Sequence, residues 1–108
     1  MRKGDRMAIS DVSLKGSWYQ VFNETGKKIS EMSSSGKEVL GVASDFFVVV
    51  YGSWIQTYDE HCKKISEMSS SGKEFRGVSG STFTVKYGSW IQTYDKNCKK
   101  ISERAGIS

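Results

Sequence analysis

The residue types able to do chemistry are few, and most of them fall in turns. His61 is the single histidine, Cys62 follows it, and Cys98 stands at the place of Cys62 one repeat on. A general base or nucleophile needs an orienting group within hydrogen-bond reach. The counterparts of His61 in the neighbouring repeats are Thr25 and Asn97, which cannot do a histidine's work, so His61 is read as a solvated loop residue. His61 with two cysteines brings zinc to mind, but the C-x-x-C and H-x-x-x-H spacings of real sites are missing, and no metal is expected. Gly36-Lys37 and Gly72-Lys73 follow serine runs in the manner of a phosphate loop. Glu31 and Glu67 stand where that motif's first glycine belongs, and a glutamate follows each lysine, so the motif fails. Asp59 and Asp95, with Asn23 in the first copy, each follow an aromatic residue in a turn. An Asx-turn, whose side-chain oxygen bonds the backbone two residues on, accounts for them. No catalytic residue and no cofactor is expected: these residues suit binding, not turnover.

The sharpest binding candidates are Trp18, Trp54 and Trp90, each preceded by Gly-Ser, with Gln20, Gln56 and Gln92 two residues further on. A repeated tryptophan either locks one unit to the next or presents a flat face to a sugar ring, with the glutamine as hydrogen-bonding group. Packing between units is the expectation, because apolar residues are few and each indole buries a large area. The pairs Lys27-Lys28, Lys63-Lys64 and Lys99-Lys100 form a repeated positive band that an anionic partner could use. Glu31, Glu67, Glu103, Asp59 and Glu60 are interleaved with it, and the pattern reads as mixed solvated charge.

These residues recur because the chain is written three times. Gly16-Ser17-Trp18, Gly52-Ser53-Trp54 and Gly88-Ser89-Trp90 are spaced by 36, which divides the 108 residues into repeats 1–36, 37–72 and 73–108. Between Gly52–Glu67 and Gly88–Glu103, 14 of 16 positions are identical. A period of this size makes each repeat one supersecondary unit that depends on its neighbour to bury apolar surface. Hydrophobic residues make up 37% of the chain and aromatics 12%, so the core rests on a few large side chains. Sixteen Lys and Arg against twelve Asp and Glu leave a net charge of +4, too mild for a dedicated nucleic-acid binder. No run approaches the roughly 20 apolar residues of a membrane-spanning helix. Met1 to Arg6 is basic but no apolar segment follows, so no secretory signal is read and a cytoplasmic location is expected. Equivalent points on successive repeats lie beyond the ~7 Å Cα separation a disulfide allows, and Cys62 and Cys98 are expected as free thiols.

The second repeat reads as four short strands, Lys37 to Ala43, Phe46 to Tyr51, Trp54 to Tyr58 and Lys63 to Met68, separated by turn residues. In the third copy Phe83, Val85 and Tyr87 alternate with Thr82, Thr84 and Lys86, so one face is buried. In the second copy Phe46, Val48 and Val50 make both faces apolar, as expected for a unit between two neighbours. In the first copy the parity flips: Val12 and Leu14 are apolar, while Asp11, Ser13 and Lys15 occupy the face that is aromatic elsewhere. The first repeat is an altered edge.

Four strands per repeat, with Tyr-Asp-x-x-Gly/Cys-Lys-Lys-Ile at the third hairpin, resemble a β-propeller blade of the quinoprotein or WD-repeat kind. The likeness runs through Trp18 to Glu31, Trp54 to Glu67 and Trp90 to Glu103, with Leu40-Gly41-Val42 and Arg76-Gly77-Val78 opening the innermost strands. The resemblance implies an all-β fold of three four-stranded antiparallel repeats. Propellers close with about 4 to 8 blades, so three imply a homodimer completing a six-bladed ring, because an open half ring is expected to expose large apolar faces. The alternative is a monomeric β-trefoil, which has the same three-by-four arithmetic, although 36 residues per repeat is short for one. The function expected is that of a non-enzymatic binding or scaffold module; a small oligomeric carbohydrate-binding protein, a lectin, is the alternative, with the Trp and Gln positions as its site.

Overall fold

Why the repeats become sheets is visible in their turns. In a computed structural model, which describes residues 8–106, Gly16, Gly52 and Gly88 take φ of 59°, 59° and 60° at two-residue Gly-Ser turns. That left-handed geometry matches the twist of the flanking strands and closes a tight hairpin. The other hairpin of each repeat is closed by the expected Asx-turn: Asp59 Oδ1 accepts from the backbone N–H of His61 (2.8 Å) and Lys63 (3.0 Å), and Asp95 and Asn23 repeat the pattern. The same turn puts Cys62 at φ 61° and Cys98 at φ 59°, where the first copy has Gly26. A left-handed L-residue costs about 1–2 kcal/mol relative to glycine.

The result is eleven strands in three antiparallel sheets, with no helix among the described residues. The first sheet holds β1 (Ile9–Lys15), β2 (Trp18–Asn23) and β3 (Lys28–Ser33). The second holds β4 (Lys37–Val42), β5 (Phe47–Tyr51), β6 (Trp54–Tyr58) and β7 (Lys64–Ser69). The third holds β8 (Lys73–Ser79), β9 (Thr82–Tyr87), β10 (Trp90–Asp95) and β11 (Lys100–Ala105). Strands consecutive in the chain are neighbours in every sheet. The additional strand expected of the first repeat falls on residues 1–7, outside the described residues.

The sheets stack in series. Residues paired across antiparallel strands share a face. In the second sheet one face carries Val39, Val42, Phe47, Val49 and Tyr58, and it packs on Val12, Val21, Ile29 and Met32 of the first. Its other face, with Leu40, Phe46, Val48, Ile55 and Met68, packs on Phe75, Val78, Phe83, Val85 and Tyr94 of the third. Phe83 is fully buried and meets Tyr94, Phe46 and Phe75 at ring separations of 5.6, 6.4 and 6.4 Å. Hydroxyl staples repeat at both interfaces: Ser30 Oγ donates to the Glu60 carbonyl (2.6 Å), and Thr57 Oγ1 and Ser66 Oγ donate to those of Lys96 (2.6 Å) and Asn97 (3.0 Å). Gly41 is required by the approach of the third sheet, since a Cβ there would lie 2.7 Å from Val78 Cγ2.

Among the described residues no strand of the first sheet lies against a strand of the third, so the closure around a threefold axis that a trefoil needs is not formed by them. The outer faces also differ from expectation. The third sheet turns Thr82, Thr84, Lys86, Arg76 and Arg104 outward, and the first turns Asp11, Ser13 and Lys15 outward. Among the described residues the outer faces are therefore mixed: the parity of the alternation places these polar residues there, beside Phe22 and Trp18 on the first sheet and Ile91 on the third, and Ile101 is 56% exposed.

Candidate functional site

Each Gly-Ser hairpin ends in a row of side chains crossing one face of its sheet. Cross-strand register aligns Lys37, Tyr51, Trp54 and Ser69 in the second sheet, and Lys73, Tyr87, Trp90 and Ala105 in the third. In the first sheet the row is Lys15, Trp18 and Ser33. The three tryptophans, expected to be packed between units, are 47%, 45% and 47% exposed, and Tyr51 and Tyr87 are 44% and 46% exposed. They stand at the last residues before or after the two-residue turn, beyond the zone where the sheets press together. Lys37 Nζ and Lys73 Nζ each lie 5.1 Å from the centroid of the tyrosine ring beside them. That arrangement is worth about 0.5–1 kcal/mol at an exposed site and holds each tyrosine face fixed.

One step deeper on the same face lie the glutamines, brought beside the tryptophans by the two-residue period of the strand. Gln56 and Gln92 are buried and already engaged at both ends of the amide. Tyr58 Oη donates to Gln56 Oε1 (2.8 Å), Gln56 Nε2 donates to Glu67 (3.0 Å), and Lys64 Nζ completes the relay at 3.1 Å. The third sheet repeats it through Tyr94, Gln92, Glu103 and Lys100. The first sheet has Phe22 in place of the tyrosine, so Gln20 donates to Glu31 (3.3 Å) without a hydroxyl on its carbonyl. Gln56 and Gln92 hold the rim in place, and among the described residues Gln20 alone of the three has an amide oxygen left over. The glutamine on Glu67, and the lysine on Glu31 and Glu103, hold those carboxyls below the usual carboxylate range. Burial raises the phenols of Tyr58 and Tyr94.

At the opposite end of the sheets an open cleft of about 640 Å³ lies among Ile9, Ser10, Ser44, Asp45, Val78 and Ser81. Asp45 Oδ2 accepts from Lys96 Nζ (3.1 Å), while Oδ1 is buried without a hydrogen-bond partner among the described residues. Sequence reasoning passed over Asp45, whose counterparts Ile9 and Ser81 carry no charge and so leave no repeated signal. His61 lies in its turn with Nε2 3.8 Å from Glu60 Oε2. Cys62 and Cys98 are free, half-buried, and their thiols are pushed up by burial. The structure brings tryptophan and glutamine together on one face of each sheet and keeps His61 and the thiols apart from them. Compared with protein-family models and with curated proteins, the chain matches none.

Proposed function

We propose that the chain is a non-enzymatic binding module, a short arc of propeller-like blades whose ligand surface is the aromatic rim. The blade reading is supported by the four-stranded meanders, by their face-to-face stacking in series, and by the position of β4 against both β1 and β8. The observation that carries the binding reading is the exposure of five aromatic rings at equivalent places in successive sheets, in a chain short of apolar residues. Exposed aromatic surface held by buried hydrogen-bonded supports marks interaction sites. The repeat makes the surface multivalent, so that weak contacts at single rows add through avidity.

A carbohydrate ligand is favoured by one feature, the flat half-exposed indole beside a fixed tyrosine, which suits the apolar face of a sugar ring. Intrinsic tryptophan fluorescence across a panel of soluble oligosaccharides tests it. A shift in emission that is lost in Trp54→Ala and Trp90→Ala is expected for a glycan ligand. Unchanged emission across the panel rejects the lectin reading and turns the search to peptides and other aromatic-binding partners, with the same two variants as control.

A further inference from the structure

The two outer faces of the stack are the same two faces that pack together inside it, altered in charge. Between the second and third repeats, the apolar residues Leu40, Phe46, Val48, Val50 and Met68 become Arg76, Thr82, Thr84, Lys86 and Arg104. Every one of these positions faces outward on the third sheet, while the face turned to the second sheet keeps its apolar set. Solvation asks only for polar side chains, yet three of the five are cations; Glu74 stands across from Lys86 on the same face, but none of the three cations makes an ion pair among the described residues. On the first sheet's outer face, Asp11 stands where Phe47 and Phe83 occupy the cores of the other repeats, and among the described residues its side-chain partner is Ser13 Oγ at 2.6 Å.

We propose that a second copy of this chain docks head to tail, its first sheet's outer face against the third sheet's outer face of the other. The internal interface supplies the register. Moving it along by one repeat sets Asp11 of the second copy at the place Phe83 takes, in the same cluster where Met68, the counterpart of Arg104, lies. Thr93 and Ser102 are the counterparts of Thr57 and Ser66. They receive the carbonyls of Glu24 and Thr25 of the second copy, as those staples do inside the chain. Gly77 fits the same occupant: a Cβ there meets nothing within 4 Å, whereas that of Gly41 meets the third sheet. Gly77 thus leaves room for a sheet to come as close as the third comes to the second. The attraction is local, because Lys15 and Lys28 offset Asp11 and Glu31 on the first sheet's outer face and Glu74 offsets one cation on the third's. A contact of this kind is modest and weakens with salt. The docking rests on the stacking of the sheets and not on what the rim binds, so failure of the glycan test leaves it untouched.

The test is light scattering behind a sizing column at low and high salt, on the full chain and two variants, Asp11→Lys and the pair Lys86→Glu with Arg104→Glu. Circular dichroism shows whether each variant folds. The expected result is a concentration-dependent rise above the 12.1 kDa chain mass at low salt, lost at high salt and lost in each variant alone. Mixing the two variants restores it, since each reversed face then meets its reversed complement. A folded chain that stays at 12.1 kDa at every concentration and salt overturns the proposal. So does association that survives both reversals, or variants that stay apart when mixed.

Discussion

Gly41 and Gly77 occupy the same position in successive repeats, share a β-bulge register, and differ only in what lies across from them. Replacing Gly41 by Ala puts a Cβ 2.7 Å from Val78 Cγ2 and 3.0 Å from Phe75 Cζ. Comfortable carbon contact begins near 3.5 Å, so the second and third sheets must part by roughly half an ångström or more, or Val78 and Phe75 must leave their rotamers. Overpacking of this kind costs about 1–3 kcal/mol. In Gly77→Ala the methyl enters open space, and the smaller entropy of the unfolded chain leaves about 0.4–1 kcal/mol of stabilisation. The two alanines should therefore differ by about 1.5–4 kcal/mol in opposite directions. Guanidinium titration in high salt, followed by circular dichroism and fitted for midpoint and slope, reads both variants. Equal shifts, or a Gly41→Ala as mild as Gly77→Ala, would refute the stacking on which the account of the fold stands. At low salt a docked second copy removes the open space beside Gly77, and its alanine should then weaken association.

Phe47→Ala should cost about 3–5 kcal/mol, a large part of a small domain's stability, because a fully buried ring stacked on Tyr58 leaves a cavity between two sheets. Asp11→Ala, one repeat earlier and exposed, should stay within about 0.5 kcal/mol, and denaturant midpoints compare the two. Tyr94→Phe takes the donor from Gln92 Oε1 and leaves a buried acceptor unpaired, a loss of about 1–3 kcal/mol by the same titration. Cys62 and Cys98 should react with iodoacetamide near pH 7.5 far more slowly in the folded chain than in denaturant, since burial raises their thiols; comparable rates would contradict that burial. Glu31, Glu67 and Glu103 titrate below the usual carboxylate range when folded, so the stability they add is complete above that range and declines as pH falls through their folded values. Glu67→Gln should flatten part of that acid limb, read as denaturation midpoint against pH.

What the sequence made legible is what local chemistry decides. The strand Trp54–Tyr58 and the turns around it follow from glycine, aspartate and a two-residue alternation, and they appear where expected. The serial order of the units was legible too, because only the middle copy is apolar on both faces. Exposure of the tryptophans was not, since it depends on how far the sheets overlap, and Trp54 stands one residue past the turn at the margin of that overlap. The glutamines were visible as a repeated feature, but their engagement was not: Gln56 reaches Glu67 across a hairpin, eleven residues away, and only the register shows that the two share a face. Asp45 has uncharged Ile9 and Ser81 at its place in the other copies, so a reading built on repetition passes it by.

Near-identity of the copies hides a division of labour between faces. Were the differences between the second and third repeats scattered, they would say only that two copies had drifted. Instead the third repeat keeps, on the face toward the second, the large residues Phe83, Val85 and Tyr94, with Val39 changed to another apolar residue, Phe75. The first repeat does the reverse, keeping Val12 and Met32 toward the second sheet, with Val21 in place of Thr57, and changing Phe, Val and Tyr to Asp11, Ser13 and Lys15 on the other side. A solenoid or propeller unit has two apolar faces only where it has two neighbours. The pattern of change therefore reports position in the stack, and each outer face follows the physics of water or of a weakly held partner. Asp11→Phe, or Arg76→Leu with Arg104→Met, should make the chain aggregate, seen as a rise in scattered light, while leaving the two internal cores as they are.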